Sequence, residues 1–122
     1  FTMIIYIFSV IFLYLFLGIV LFLLQRFITF NKSIKPNKPI EYGLLNVKEV
    51  LVNTSDNLSL LAWFQMPKNN NPIMIYFHGN SYDIGERAYR IEKYLNVGWG
   101  VLLLSWRGYS GNKGIPTEKK FI

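Results

Sequence analysis

Seven residues hold most of the chemistry that this sequence offers: His78-Gly79-Asn80, Arg107-Gly108-Tyr109 and Ser110. His78 is the single imidazole among 122 residues, which invites a general-base reading. Ser110 lies in Gly108-Tyr109-Ser110-Gly111, but a nucleophile elbow needs G-x-S-x-G between a strand and a helix. Here the second glycine comes one residue early and a loop with Pro116 follows, so a turn serine is the better account. Without cysteine there is neither a thiol nucleophile nor a disulfide, and one histidine cannot build the usual zinc ligand set. Gly108, Gly111 and Gly114 are spaced by threes, yet no Gly-Lys-Ser/Thr follows as a phosphate-cradling loop requires. His78-Gly79-Asn80 remains open to two readings, a tight strand-to-helix turn or a loop that presents backbone donors.

The elements that must position these residues lie within residues 72–114. Two apolar runs, Ile73–Phe77 and residues 101–104, are bounded by Gly and Pro and read as strands of a parallel sheet buried on both faces. Between them Asp83 and Glu86 fit a capping box, and Ile84, Ala88, Ile91 and Leu95 recur on one helical face until Asn96 and Gly98 stop it. A right-handed β-α-β crossover puts the carboxyl ends of both strands at one edge, where ligands of open α/β sheets bind. His78-Gly79-Asn80 and Arg107-Gly108-Tyr109 are the residues placed there. Upstream, residues 45–53 and 58–66 read as a hairpin turned at Ser55-Asp56-Asn57, and residues 67–72 as a solvent loop.

The sequence HGN at 78–80, Arg87, Gly98-Trp99-Gly100-Val101, WRGYSGNKG at 106–114 and Pro116-Thr117-Glu118 resembles the amino-terminal half of membrane-anchored α/β hydrolases of the serine-hydrolase class. The resemblance covers residues 26–122. It implies that Gly79 and Asn80 supply backbone to an oxyanion hole, with the Asn80 N–H as the candidate donor. His78 would then support that loop, the catalytic histidine coming near the end of a complete domain. Arg107, Gly108 and Tyr109 would tie neighbouring loops together. Ser105-Trp106 stands where the family usually has Asp-Tyr, which removes a carboxylate from the rim of the site.

Composition points the same way. Residues 3–24 contain no charge and span about 33 Å as a helix, enough for a hydrocarbon core of about 30 Å. A cleaved signal peptide would show a shorter apolar run and a small-residue cleavage site. The net charge of +6 is concentrated at the flank of this run, where Arg26, Lys32, Lys35 and Lys38 stand without an acid among residues 25–40. A nucleic-acid partner is therefore not expected; the charge suits a bilayer surface and, by the positive-inside rule, a cytoplasmic soluble part.

The sequence thus predicts an α/β chain with one transmembrane helix, then an antiparallel hairpin and a β-α-β parallel unit, the amino-terminal part of an α/β-hydrolase fold. Residues 1–26 are expected as the anchor, 27–44 as an extended linker and 45–122 as a partial hydrolase domain. No metal or cofactor is expected. The partners are the lipid bilayer and a lipidic or acylated substrate with an ester, thioester or amide bond. None of the triad is expected within the chain, and without further strands the edge of the strand at 101–104 is expected to be open. The rival expectation is a non-catalytic membrane-tethered remnant that interacts with lipid or a partner protein.

Overall fold

The computed structural model describes residues 1–120. Helix α1, Thr2–Thr29, is apolar all round, has no buried residue and is long and apolar enough to cross a membrane by length and composition. Its carboxyl end lies beyond the charge-free run: the helix continues past Arg26, whose carbonyl accepts the Phe30 N–H at 2.9 Å.

The expected linker is extended but pinned. Ser33 and Lys35 lie against the 110–111 turn, with the Ser33 carbonyl accepting the Gly111 N–H at 2.9 Å. Pro36 and Pro39 are buried, and a 3-10 turn at Pro39–Tyr42 sets the Tyr42 ring tilted against that of Trp63, 5.5 Å between centroids.

Four strands form one sheet: β1 Lys48–Asn53, β2 Ser59–Gln65, β3 Ile73–Phe77 and β4 Gly100–Leu104, in spatial order β1-β2-β4-β3. The hairpin pairs Val50 with Ala62, β2 pairs antiparallel with β4, and β3 runs parallel to β4 with Ile75 opposite Leu102. Strand β1 begins later than expected because residues 44–47 turn inward, burying Leu44 and Val47 beneath Trp63 rather than extending the ladder. The turn of the hairpin is held by Thr54, whose hydroxyl donates to Asp56 at 2.6 Å, and Asn57 takes the positive φ of 62°.

Helix α2, Ala88–Asn96, is preceded by a 3-10 turn at Ile84–Arg87, and the Asp83 carboxylate accepts the Glu86 N–H as its cap. Ile84, Ala88, Ile91 and Leu95 are all buried against Leu61, Trp63, Val101 and Leu103, so one sheet face and one helix face close the larger core, while Leu60, Ala62 and Leu104 form a second, smaller cluster. Gly98, at φ 87°, turns the chain from α2 into β4.

Two expectations about burial are corrected. Strand β3 is not buried on both faces: Ile73, Ile75 and Phe77 are about half exposed while Met74 and Tyr76 pack on the core. The sheet edges are β1 and β3 rather than the strand at 101–104, because β4 lies between β2 and β3 with hydrogen-bonded neighbours on both sides. A short apolar run fixes the presence of a strand, but its place in the sheet depends on pairing with β2, a distant segment.

Candidate active site

At the carboxyl edge of β3 and β4 two loops meet, and His78 is the joint between them. It is buried, its Nδ1 lies 2.6 Å from the Gly79 carbonyl, and its Nε2 accepts the Trp106 N–H at 3.2 Å. This pair of contacts selects the neutral tautomer with the proton on Nδ1. The Trp106 indole returns the contact by donating to the His78 carbonyl at 2.7 Å, while the Trp106 ring stacks on Phe77 at 5.1 Å. Burial pushes the His78 pKa below its ordinary 6.5, with the nearby Arg87 charge acting in the same direction.

Gly79 and Asn80 follow, and both are exposed. A Cβ built on Gly79 meets nothing within 4 Å, and its φ lies outside the left-handed region, so the fold makes no demand for glycine here. The Asn80 carbonyl accepts the Tyr109 hydroxyl at 2.9 Å and its side-chain amide donates to the Thr29 carbonyl at 3.1 Å. Among the described residues nothing accepts from the backbone N–H of Gly79 or Asn80. Gly79 and Asn80 line, with Phe30, His78, Trp106 and Tyr109, an almost wholly apolar cavity of about 220 Å³.

The loop after β4 is built differently. Arg107 is buried and grips the Asp56 carboxylate with two guanidinium nitrogens, at 2.8 and 3.3 Å. Those hydrogen bonds, with a further one from Thr54, hold the Asp56 carboxyl far below the usual carboxylate range. Gly108 has φ 77°, and a Cβ there would come within 2.8 Å of the Pro116 ring. Tyr109 is fully buried, which pushes its hydroxyl pKa up, and its ring meets that of His78 edge-on at 5.2 Å.

Ser110 is also buried. Its hydroxyl accepts from Ser105 at 2.8 Å and from the Ile84 N–H at 3.1 Å, while its own N–H donates to the Ser33 hydroxyl at 2.7 Å. A hydroxyl enclosed in this way serves the loop, as its sequence context indicates. Ser105 and Asn112 complete the network, with Asn112 accepting the Leu61 N–H at 2.8 Å and donating to the Ser105 and Trp106 carbonyls.

The structure therefore brings His78, Gly79, Asn80 and Tyr109 around one cavity, whereas Arg107 and Gly108 face the hairpin and the 114–116 segment. Sequence reasoning did not single out Asp56 as the partner of Arg107, Phe30 as a wall of the cavity or Trp106 as the clamp on His78. Only Trp106 left a signal, as a departure from the resemblance. Among the described residues no three His, Asp or Glu side chains are grouped so as to hold a metal ion.

No family model matches the chain. Relatives do: an uncharacterized protein of Mycobacterium tuberculosis is 29% identical over 106 residues, covering 84% of this chain and 38% of its own length. The alpha/beta hydrolase domain-containing protein WAV2 of Arabidopsis thaliana is 28% identical over 89 residues, 69% of this chain and 29% of that protein. A solved esterase of Pyrococcus furiosus superposes with a TM-score of 0.57 at 21% identity, over 75% of this chain and 36% of the esterase.

The chain has the fold of the α/β hydrolases and is similar in sequence to proteins named for that family. The lysophosphatidylserine lipase ABHD12 of Rattus norvegicus is a further relative, 24% identical over 106 residues, which are 67% of this chain and 26% of that protein. The chain thus spans between 26% and 38% of the length of these three curated relatives. In its sheet the cavity occupies the edge where open α/β sheets hold their ligands.

Proposed function

We propose that the chain is the amino-terminal part of a membrane-anchored serine hydrolase that cleaves ester, thioester or amide bonds in lipidic or acylated substrates. The observation that carries this reading is that Gly79 and Asn80, whose backbone N–H groups have no acceptor among the described residues, line an apolar cavity in a loop held by His78, Trp106 and Tyr109.

In acyl transfer the carbonyl oxygen gains charge as the tetrahedral intermediate forms, and donors fixed beforehand stabilise that charge without reorganising. Half of such a hole is supplied here, and in this fold the second donor follows the nucleophile. The Asn80 carbonyl is tied by Tyr109 and the His78 carbonyl by Trp106, so the peptide units around Gly79 are oriented from both sides. His78 orients the loop instead of acting as a base, since both of its ring nitrogens are engaged by backbone. The nucleophile, its histidine and the orienting acid come from outside the described residues. Helix α1 anchors the site, and the basic flank at Arg26, Lys32, Lys35 and Lys38 sets the soluble part on the cytoplasmic side.

Labelling with a serine-directed fluorophosphonate tests the reading. We expect no adduct on Ser110, and an adduct on a G-x-S-x-G serine in the coding sequence that continues past Ile122. Stoichiometric modification of Ser110, or a stop codon at that point in the gene, overturns the proposal.

A further inference from the structure

The cavity has an unusual wall. Phe30, the residue that ends α1, lines it together with the oxyanion loop, and the Thr29 carbonyl one residue earlier accepts the Asn80 side-chain amide. Two more ties fix the same helix end to the strand-end loops. Ser33 accepts the Ser110 N–H and, through its carbonyl, that of Gly111; Arg26 lies 3.7 Å from Glu118. A plain tether needs none of these contacts, because an anchor works as well through a loose linker.

The depth of that helix end follows from length. The 28 residues of α1 extend about 42 Å, which matches a bilayer of roughly 40–45 Å with its headgroup layers. The charge-free run fills the hydrocarbon core and Arg26 marks its boundary, so Thr29 and Phe30 fall in the interfacial layer, where acyl chains join their headgroups. Exposed aromatic residues stand on the segments tied to this helix end: Phe27 on α1, Tyr82, whose carbonyl accepts the Ser33 hydroxyl, and Phe77, whose ring stacks on Trp106 in the cavity wall. The cavity, at about 220 Å³, is smaller than the roughly 300–1,000 Å³ that enclose a whole drug-sized ligand. It suits the linkage and first methylenes of a single chain whose remainder stays in the bilayer.

From these contacts we infer that the carboxyl end of α1 is a wall of the binding site, and that a bilayer lipid passes its acyl linkage laterally into the cavity beside Phe30 without leaving the membrane. The chemistry done on that linkage rests on the hydrolase reading above; the entry route does not. Lateral entry keeps the methylenes out of water, where each one exposed opposes transfer. It also commits the occupant to a lipid of the anchoring membrane rather than a soluble ester or a peptide.

The test uses the full chain in phosphatidylcholine vesicles that hold a single-chain lysophosphatidylcholine with a photoactivatable diazirine next to its ester. After irradiation, adducts are located by mass spectrometry. Lateral entry predicts adducts on Phe30, Asn80 and Trp106 in addition to those along α1, with the cavity adducts lost in Phe30→Ser while the α1 adducts remain. Adducts restricted to residues 2–28 overturn it, as does equal or stronger cavity labelling by a water-soluble short-chain diazirine ester at the same concentration. The two readings fail separately. Cavity adducts on this chain, with no hydrolysis by the protein that carries it together with a nucleophile elbow, remove the hydrolase proposal and leave the entry route, whereas hydrolysis by that protein without cavity adducts does the reverse.

Discussion

The loops after β3 and β4 leave adjacent parallel strands at the same edge, yet they are built on opposite principles. Residues 105–110 are buried apart from the half-buried Trp106, and the loop through 112 takes left-handed backbone at Gly108, Ser110 and Gly111 and bonds its polar groups to one another and to Asp56, Leu61 and Ser33. Gly79 and Asn80 are exposed, unstrained, and keep two backbone donors free of any described acceptor. The first loop is a scaffold that consumes its hydrogen-bonding capacity, while the second is held rigid at its flanks and left open at its tip. Preorganised donors require that combination.

The contrast can be broken most severely at Gly108. Gly108→Val forces a β-branched residue to φ 77° with its Cβ against Pro116, and we expect a loss of about 1–3 kcal/mol measured by urea unfolding. Gly79→Val, with open space around its Cβ, should leave the midpoint close to that of the unsubstituted chain. Equal losses at the two sites would erase the distinction.

A smaller effect comes from His78. Its folded pKa lies below 6.5, so the unfolded chain binds the extra proton first; stability is complete above 6.5 and declines as pH falls through that value toward the folded pKa. As the single histidine in the sequence it can be followed directly by NMR, and a titration midpoint above 6.5 would contradict its burial between the loops. The Arg107–Asp56 pair adds a separate loss at more acidic pH, since the depressed Asp56 carboxyl contributes stability above its unfolded pKa and loses it below.

The smallest effect is expected from Tyr109→Phe, which deletes the bond to the Asn80 carbonyl and costs about 1 kcal/mol. Its sharper readout is local: NMR backbone order parameters at Gly79 and Asn80 should fall while those of the 105–108 segment stay high.

How much of this was legible in the sequence differs along the chain. The periodicity of Ile84, Ala88, Ile91 and Leu95 translates directly into the buried face of α2, because helical spacing and burial are one local pattern. The run Ile73–Phe77 announces a strand, but its apolar residues look alike at an edge and in the middle of a sheet, and only the pairing of β2 with β4 decides between them. Asp56 reads as a turn residue, and nothing local says that Arg107, 51 positions later, will claim its carboxylate. The charge-free run reveals α1 but not the depth to which its end reaches into the site, since Phe30 joins the cavity through tertiary placement alone.

The measurement that bears most directly on the central claim is the turnover of Gly79→Val in the hydrolase that carries this segment together with its nucleophile elbow. If Gly79 and Asn80 present half of the oxyanion hole, a β-branched side chain at position 79, which meets no other atom of the chain, stands in the space that the oxyanion enters as the transition state forms. Turnover should then fall about 10²–10³-fold, equivalent to 2.7–4 kcal/mol, with KM nearly unchanged and the fold intact. An undiminished turnover number in the folded variant would contradict the account.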